Sequence, residues 1–377
     1  MEINKNPLLM LPGPVAIHHR VYEIMSKPII GHRTQEFVEI LDDTIQKFKN
    51  LLKTKNFVAL ITGSSTSAMD AAVCNCIEPG VKVLNIIQGK FSERWMDITR
   101  GYGCISVPLE LEWGKGLRIE QISEALEKDD SIKFVTVVHN ETSTGVLNNI
   151  KDLAALCKKL DKYLLVDGVT SVGGDDIYPD EWNLDVLVTG SQKCLGIPPG
   201  LAMICVSPRA WELIEKRKCK YSHYLDLLKY KKDPQPFTPA ITLVRALNES
   251  LKIIEEEGIE NRFKRHKLAA RACREGIKAL GLELFAEEGY YSNTVTAIKV
   301  PDNLTSKSII EEMRKNGVII TGGQGKIKGK IFRIAHMNMV GKDEILTTLS
   351  ILELSLKNLG FPVKTGNAIE IATEIFK

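Results

Sequence analysis

Tyr163-Leu-Leu-Val-Asp-Gly-Val-Thr-Ser171 and, shortly after it, Asp185-Val-Leu-Val-Thr-Gly-Ser-Gln-Lys193 decide the fold of this chain. Each begins as a short apolar run without polar alternation. Each then ends among small and polar residues around one ionisable side chain, Asp167 in the first and Lys193 in the second. A strand that is apolar at every position is buried on both faces, as happens in a parallel sheet covered by helices on both sides. Working outward, the same pattern recurs. Phe57-Val-Ala-Leu-Ile61, Val81–Ile87, Cys104–Val107 and Phe134–Val138 read as further strands. Between them lie helical stretches over 68–77, from 91 onward and over 150–160, and an amphipathic helix over 34–53 precedes the first strand, with Phe37, Leu41, Phe48 and Leu52 on one face. Strands alternating with helices predict an α/β fold with a mostly parallel sheet. Ligands in such sheets sit at the carboxyl ends of the strands, so the residues just after each strand are the ones to read for chemistry.

A chain of 377 residues exceeds what one core usually supports, which predicts a large domain and a smaller one. The pattern does change along the chain. Residues 241–280 read as charged helices. From about 281 an α+β region follows, with strands at 294–299, 317–320 and 331–335 and helices at 305–315 and 342–358. The expected division is an arm over 1–14, a large domain over 15–260 and a small domain over 261–377. The arm ends in Leu11-Pro-Gly-Pro14, where two prolines around a glycine fix a turn and block helix.

Net charge is +3 with both signs interspersed, which gives no case for a nucleic-acid partner. The densest basic stretch, Lys216–Lys232, reads as a solvated face. No apolar run reaches membrane-spanning length, and the first residues lack the basic start and apolar stretch of a signal peptide. Eight cysteines are scattered, several inside apolar runs such as Leu201-Ala-Met-Ile-Cys-Val206. Cys74 and Cys76 have no second pair at zinc spacing. The cysteines read as small hydrophobes of a soluble protein in a reducing cytoplasm, with no metal and no disulfide framework.

Four strand-end segments carry the chemistry. Gly63-Ser-Ser-Thr-Ser67 precedes a helix, so its backbone N–H groups can cradle a phosphate; a serine-rich helix cap is the alternative. It matches neither Walker nor dinucleotide glycine spacing, which disfavours ATP and NAD. His139-Asn-Glu-Thr-Ser-Thr-Gly145 crowds polar side chains into one loop, as a capped turn or a binding site. Asp167 closes an apolar strand, where a carboxylate needs a partner, whether the next turn or a bound cation. Lys193 lies beside the turn at Pro198-Pro-Gly200; a lysine in a loop is usually solvated, but an enclosed one loses basicity and becomes a nucleophilic amine. A phosphate cradle, a carboxylate and such a lysine are together what pyridoxal 5'-phosphate (PLP) requires. The carboxylate keeps the pyridine nitrogen protonated, and the lysine holds the aldehyde as a Schiff base and then moves a proton.

On these motifs the chain resembles the class V aminotransferases of PLP fold type I, specifically the serine–pyruvate and alanine–glyoxylate aminotransferase group. The resemblance runs from the Pro-Gly-Pro arm to about Arg333. It implies a large domain with a mostly parallel seven-stranded sheet covered by helices, and a smaller C-terminal α+β domain. It implies that Lys193 carries the cofactor, that Asp167 partners the pyridine nitrogen, and that Val169 packs on the ring. Thr142 resembles the residue that bonds the phenolic oxygen, and Ser64, Ser65, Thr66 and Gln192 resemble phosphate binders. Phe91, in Gln88-Gly-Lys-Phe91, falls where relatives stack an aromatic ring on the cofactor, with core packing as the alternative.

Phe237-Thr-Pro239 resembles the segment that reaches the phosphate of a neighbouring subunit, with Thr238 as the contact. That implies a homodimer with shared active sites, although Gln235 stands where some relatives have a tyrosine. Arg333, in Ile331-Phe-Arg-Ile334, matches the arginine that grips the substrate α-carboxylate; a planar fork suits that task, and a structural ion pair is the alternative. Gly13 resembles the arm that closes over the substrate, where a missing side chain lets backbone approach.

The implied reaction is ping-pong transamination between a small L-amino acid (serine or alanine) and a 2-oxo acid (pyruvate or glyoxylate). No long basic residue beyond Arg333 is evident for a second carboxylate, which disfavours aspartate and glutamate as donors. A phosphoserine or 2-aminoethylphosphonate aminotransferase would need further cations, for which His32 and Arg33 are candidates. A cysteine desulfurase would need a mobile thiol, whereas Cys194 is constrained beside Lys193 and Gln192 stands where a histidine is usual. A non-enzymatic relative would normally have lost the lysine or the aspartate.

Overall fold

The computed structural model describes residues 7–218 and 220–377; the first six residues of the expected arm, and Cys219 within the basic stretch, lie outside the described residues. Seven strands form the main sheet: β1 Phe57–Thr62, β2 Lys82–Ile87, β3 Ile105–Glu110, β4 Ile132–Val138, β5 Tyr163–Asp167, β6 Val186–Gly190 and β7 Leu201–Val206. Their order is β3-β2-β4-β5-β6-β7-β1. All neighbours are parallel except β7, which runs antiparallel to β6 and β1. The apolar run Leu201–Val206 is thus a strand, returned beside β6 by the Pro198-Pro-Gly200 turn, where Gly200 has φ +133°. The strand expected to be buried at 104–107 is instead Ile105–Glu110 on the sheet edge. One side of an edge strand meets solvent, and Ile105 is 48% exposed.

Side chains of one strand alternate between two apolar layers. Leu164 and Val166 join Phe37, Leu41 and Leu247 on one face, and Leu165 joins Ala68, Met69 and Trp95 on the other. The first layer brings in α1, Gln35–Leu52, whose N-cap Thr34 accepts the Phe37 N–H at 3.4 Å. The second brings in α2, Ser65–Cys76, and α3, Lys90–Gly101. Helix α2 begins inside the segment expected to be a loop: Ser64 takes the N-cap position, and its carbonyl accepts both the N–H and the hydroxyl of Ser67 at 2.8 Å. A further helix, α4 Ile119–Lys128, was not expected and buries Ile122 and Leu126; α5 Ile150–Lys159 was expected.

Helices α6 Ile241–Glu257 and α7 Ile259–Ala279 meet at Gly258, with φ +79°. Beyond them a second apolar cluster joins α7, α8 Ser306–Lys315, α9 Lys342–Asn358 and α10 Asn367–Ile375 to a three-stranded antiparallel sheet. That sheet contains β8 Val295–Lys299, β9 Thr321–Gly322 and β10 Ile331–Ala335 in the order β8-β10-β9. The strand expected at 317–320 is split. Val318–Ile319 pairs in parallel with Leu8–Leu9 of the arm, and Thr321–Gly322 joins β10. Met10 is fully buried in this second cluster, which ties the arm down by roughly 1.5–3 kcal/mol. Among the described residues no helix is long and apolar enough to cross a membrane.

Candidate active site

The carboxyl ends of β4, β5 and β6 open on one cavity of about 220 Å3. Asp167 and Lys193 both line it. So do Ser65 and Met69 of α2, Phe91 and Arg94 of α3, and Val138, Asn140, Thr142, Val169, Thr170 and Gln192 at strand ends. A larger hollow of about 580 Å3 lies at the amino ends of β1, β5 and β6, around Asp180, Asp185 and Arg209. Its acids are already engaged: the Leu164 N–H donates to Asp185 at 2.9 Å, and Thr54 and the Lys55 N–H donate to Asp180. Convergence of ionisable groups at strand ends selects the smaller cavity.

Asp167 is 4% exposed. Burial pushes its carboxyl up to about 6, opposed by the Val169 N–H that donates to Oδ1 at 2.8 Å. No hydrogen bond reaches Oδ2 among the described residues. Burial pushes the Lys193 amine down to about 8, and the nearby Arg333 charge pushes the same way. Lys193 Nζ donates to the Pro12 carbonyl, and Gly13 packs on its stem. At φ +106°, with an added Cβ only 2.6 Å from Lys193 Cδ, Gly13 leaves no room for a side chain. The arm therefore reaches across from the second core to the lysine.

Gln192 Nε2 donates to Ser65 Oγ at 3.2 Å. The Thr142 and Thr170 hydroxyls are 2.6 Å apart, and Asn140 Nδ2 donates to Thr294 Oγ1 at 2.5 Å. Asn140 Oδ1 and Gln192 Oε1 are buried without a hydrogen-bond partner among the described residues. Orphaned oxygens on a cavity wall mark a site shaped around a polar group that is not part of the chain. With an acid at one wall, a weakened amine at another and hydroxyl and amide donors at the start of α2, the residues fit PLP.

Two flanking groups complete the surroundings. Glu141 is fully buried, which raises its carboxyl. It accepts the Ser92 N–H at 2.9 Å, the Phe91 N–H at 3.4 Å and the Ser143 hydroxyl at 2.5 Å, and so holds the first turn of α3 in place. Arg333, in β10, is 2% exposed, and burial pushes its guanidinium down to about 10. It forms no ion pair among the described residues. Nε and one terminal nitrogen donate to the Gly322 carbonyl at 3.0 and 2.7 Å, and the other terminal nitrogen donates to the Thr142 carbonyl at 3.0 Å. Of its five N–H groups, one on each terminal nitrogen remains free.

The expected residues Ser65, Phe91, Thr142, Asp167, Val169, Gln192 and Lys193 are therefore gathered at one cavity, with Gly13 and Arg333 against it. Phe91 also packs on the second apolar layer. Ser64 is the exposed N-cap of α2, and Thr66 lies outside the cavity wall but contacts Arg94. Thr238 is exposed and away from the wall of its own chain's cavity. His32 and Arg33 do not line the cavity either. Burial pushes the Cys194 thiol up to about 11 and its hydrogen points to the Thr170 carbonyl at 3.5 Å, which leaves it inert as a nucleophile. Met69, Arg94, Val138, Asn140 and Thr170 line the cavity without having been expected. Arg94 follows Phe91 by one helical turn and so shares its face of α3, but no motif in the sequence set it apart from the other charged residues of that helix.

The class V aminotransferase family model matches residues 19–338. An uncharacterized aminotransferase of Methanocaldococcus jannaschii is 47% identical across 98% of this chain and 97% of its own. The serine–glyoxylate aminotransferase of Arabidopsis thaliana is 34% identical across 97% of this chain and 94% of its own. The crystal structure of the ureidoglycine–glyoxylate aminotransferase of Bacillus subtilis superposes with a TM-score of 0.94, at 32% identity, over the full length of both chains. A seven-stranded sheet with its polar cavity at the strand ends, a family match over most of the chain and relatives that align end to end agree: the chain belongs to the class V aminotransferases, PLP-dependent enzymes of fold type I.

Proposed function

We propose that this enzyme exchanges an amino group between a small L-amino acid, serine or alanine, and a 2-oxo acid, glyoxylate or pyruvate, and that Lys193 and Asp167 carry the chemistry. The observation that carries this reading is the meeting of a lysine amine pushed down to about 8 and a carboxyl pushed up to about 6 in one enclosed cavity. Glyoxylate stands in the names of the Arabidopsis and Bacillus relatives, which supports it as acceptor.

PLP, when bound, supplies an aldehyde for the lysine and a protonated ring that accepts the electron pair of the substrate α-carbon. The protein's own residues do the rest. Lys193 Nζ would hold the aldehyde and, as a free amine, would take and return the substrate α-proton. Asp167 keeps a hydrogen bond and a negative charge at the ring nitrogen, with Oδ2 free for that role. Phe91 and Val169 offer apolar walls to a flat ring, and the Thr142 hydroxyl serves the phenolic oxygen. Ser64, Ser65, Thr66 and Gln192 bind the phosphate. The two free N–H groups of Arg333 form a fork for the substrate α-carboxylate. Gly13 lets the arm lie close over the substrate.

Thr238, exposed in a single chain, is read as reaching the phosphate of a second copy, in a homodimer with shared sites. The two apolar cores support dividing the chain into an arm (1–14), a large domain (15–260) and a small domain (261–377). Seven buried free cysteines among the described residues favour a reducing cytoplasm.

The test is the near-visible absorbance of the purified protein. A yellow band that fades on adding L-serine or L-alanine and returns with glyoxylate or pyruvate is the expected result. A band indifferent to both amino acids would remove the donor class. A protein that stays colourless after incubation with PLP would remove Lys193.

A further inference from the structure

Among the described residues, one charged side chain on the cavity wall has neither a task in that reading nor an oppositely charged partner. Arg94 carries a full positive charge on the wall and has no carboxylate partner among the described residues. Its one hydrogen bond is to the Thr66 hydroxyl at 3.3 Å, and its guanidinium carbon lies 5.1 Å from the centre of the Phe91 ring. A half-buried arginine without an acid is costly to hold in place unless something negative arrives.

The position of the guanidinium says what arrives. Thr66 belongs to the first turn of α2, and the neighbouring Ser65 accepts from Gln192. Arg94 is thus one hydrogen bond from the donors read as the phosphate cradle, and every one of those donors is neutral. A phosphate monoester carries about −1.5 to −2 charges at pH 7, and neutral donors at a helix end balance only a part of that. We propose that Arg94 is the cation of the cofactor-phosphate site: its guanidinium binds the phosphate monoester beside the first turn of α2, and its contact with Phe91 holds that ring against the cavity. Its positive charge is also felt by Asp167 and Lys193, which places it in the same enclosure. This inference rests on PLP occupying the cavity through Lys193.

The competing occupant is the second carboxylate of a dicarboxylic substrate. The phosphate is favoured because Arg94 bonds the α2 turn, while the Arg333 guanidinium is held by the Thr142 and Gly322 carbonyls, away from that turn's bonds.

The experiment titrates cofactor-free wild type, Arg94→Gln and Arg94→Lys with PLP and, separately, with pyridoxal. Pyridoxal has the same ring and aldehyde but no phosphate, and the near-visible band reports capture by the lysine. Arg94→Gln is expected to weaken PLP by about 10- to 100-fold, the range of a hydrogen bond to a charged group, while pyridoxal binds as it does to wild type. Arg94→Lys is expected to recover part of the loss. Equal weakening of both aldehydes would overturn the proposal, because Arg94 would then be supporting the fold or the ring. Unchanged PLP affinity with a raised KM for aspartate but not for serine would also overturn it and assign Arg94 to a substrate carboxylate. Failure of the wild type to capture either aldehyde would overturn the Lys193 reading itself, and this inference with it. An unaltered pyridoxal band in Arg94→Gln doubles as the check that the variant is folded.

Discussion

Lys193 and Asp167 are both driven toward their neutral forms by burial, the amine down to about 8 and the carboxyl up to about 6. The signs fix a pH dependence. Lys193 Nζ is protonated below about 8 and neutral above it, and only the neutral amine attacks an aldehyde. Asp167 is ionised above about 6, so it can meet a pyridinium through the whole range where the amine becomes free. Capture of PLP by the cofactor-free protein should therefore accelerate roughly tenfold per pH unit up to about 8 and then level off. Stopped-flow absorbance between pH 6 and about 10 measures it; a rate that keeps climbing to the top of that range would mean an ordinary solvated lysine. Asp167→Asn should keep the yellow band but slow transamination by about 10²- to 10³-fold, the effect of losing a charge placed at the reacting group. Arg333→Ala should chiefly raise KM, since the α-carboxylate is held throughout the reaction. Lys193 and Asp167 were legible because a strand end in a parallel sheet is a fixed address. Arg94 was not, because a charged residue on an amphipathic helix looks like any solvated face until the helix is docked.

At the scale of elements, the cavity depends on how two helices begin. Helix α2 starts at Ser65 within the Gly63–Ser67 segment, so what read as a loop is mostly a first turn, and its N-terminus meets Gln192 directly. Sequence composition marks serine, threonine and glycine as turn or cap equally well, which is why the boundary could not be read. The first turn of α3, from Lys90, is held by Glu141 of the loop after β4, which accepts the Phe91 and Ser92 N–H groups, and by the Ser92 hydroxyl, which accepts the Gln88 and Gly89 N–H groups. Nothing within α3 announces a cap supplied from elsewhere in the chain, although Glu141 sits in a motif recognised for its polarity. Glu141→Ala would leave these buried donors unmet and cost about 1–3 kcal/mol of stability. It should also loosen Phe91 and Arg94, which ride on the same turn. A lowered denaturation midpoint together with weaker PLP binding is expected; an unchanged midpoint would mean that the turn holds itself.

For the whole molecule, the two cores and the stretch that follows the arm meet at one buried cation. Arg262, on α7, donates to the carbonyls of Gly173 and Cys194 at 2.8 and 2.7 Å and to Asn338 Oδ1 at 2.9 Å, while Asn338 Nδ2 donates to the Ala16 carbonyl at 2.8 Å. The loop carrying Lys193 is thereby fixed to both cores, which no local pattern in the sequence could reveal, since these partners come from distant segments. The remaining question at this scale is whether one chain suffices. Thr238 is exposed, beside Phe237, whose ring packs tilted against Tyr224 with centroids 5.1 Å apart, and it does not line the cavity of its own chain. If it serves the phosphate of a second copy, each site draws Lys193 from one protomer and Thr238 from the other. Lys193→Ala has no amine to capture PLP, and Thr238→Glu sets a carboxylate against the phosphate, so each homodimer should be defective. A hybrid dimer of the two variants would hold one site with both wild-type residues and one site with neither. Co-expression with two different affinity tags, followed by isolation of the hybrid, should then return about half of the wild-type band and activity per dimer. If Thr238 acted within its own chain, the hybrid would carry the defect of one parent at each site and show no rescue. The absence of any rescue would remove the shared site from this reading while leaving the cavity around Lys193 intact.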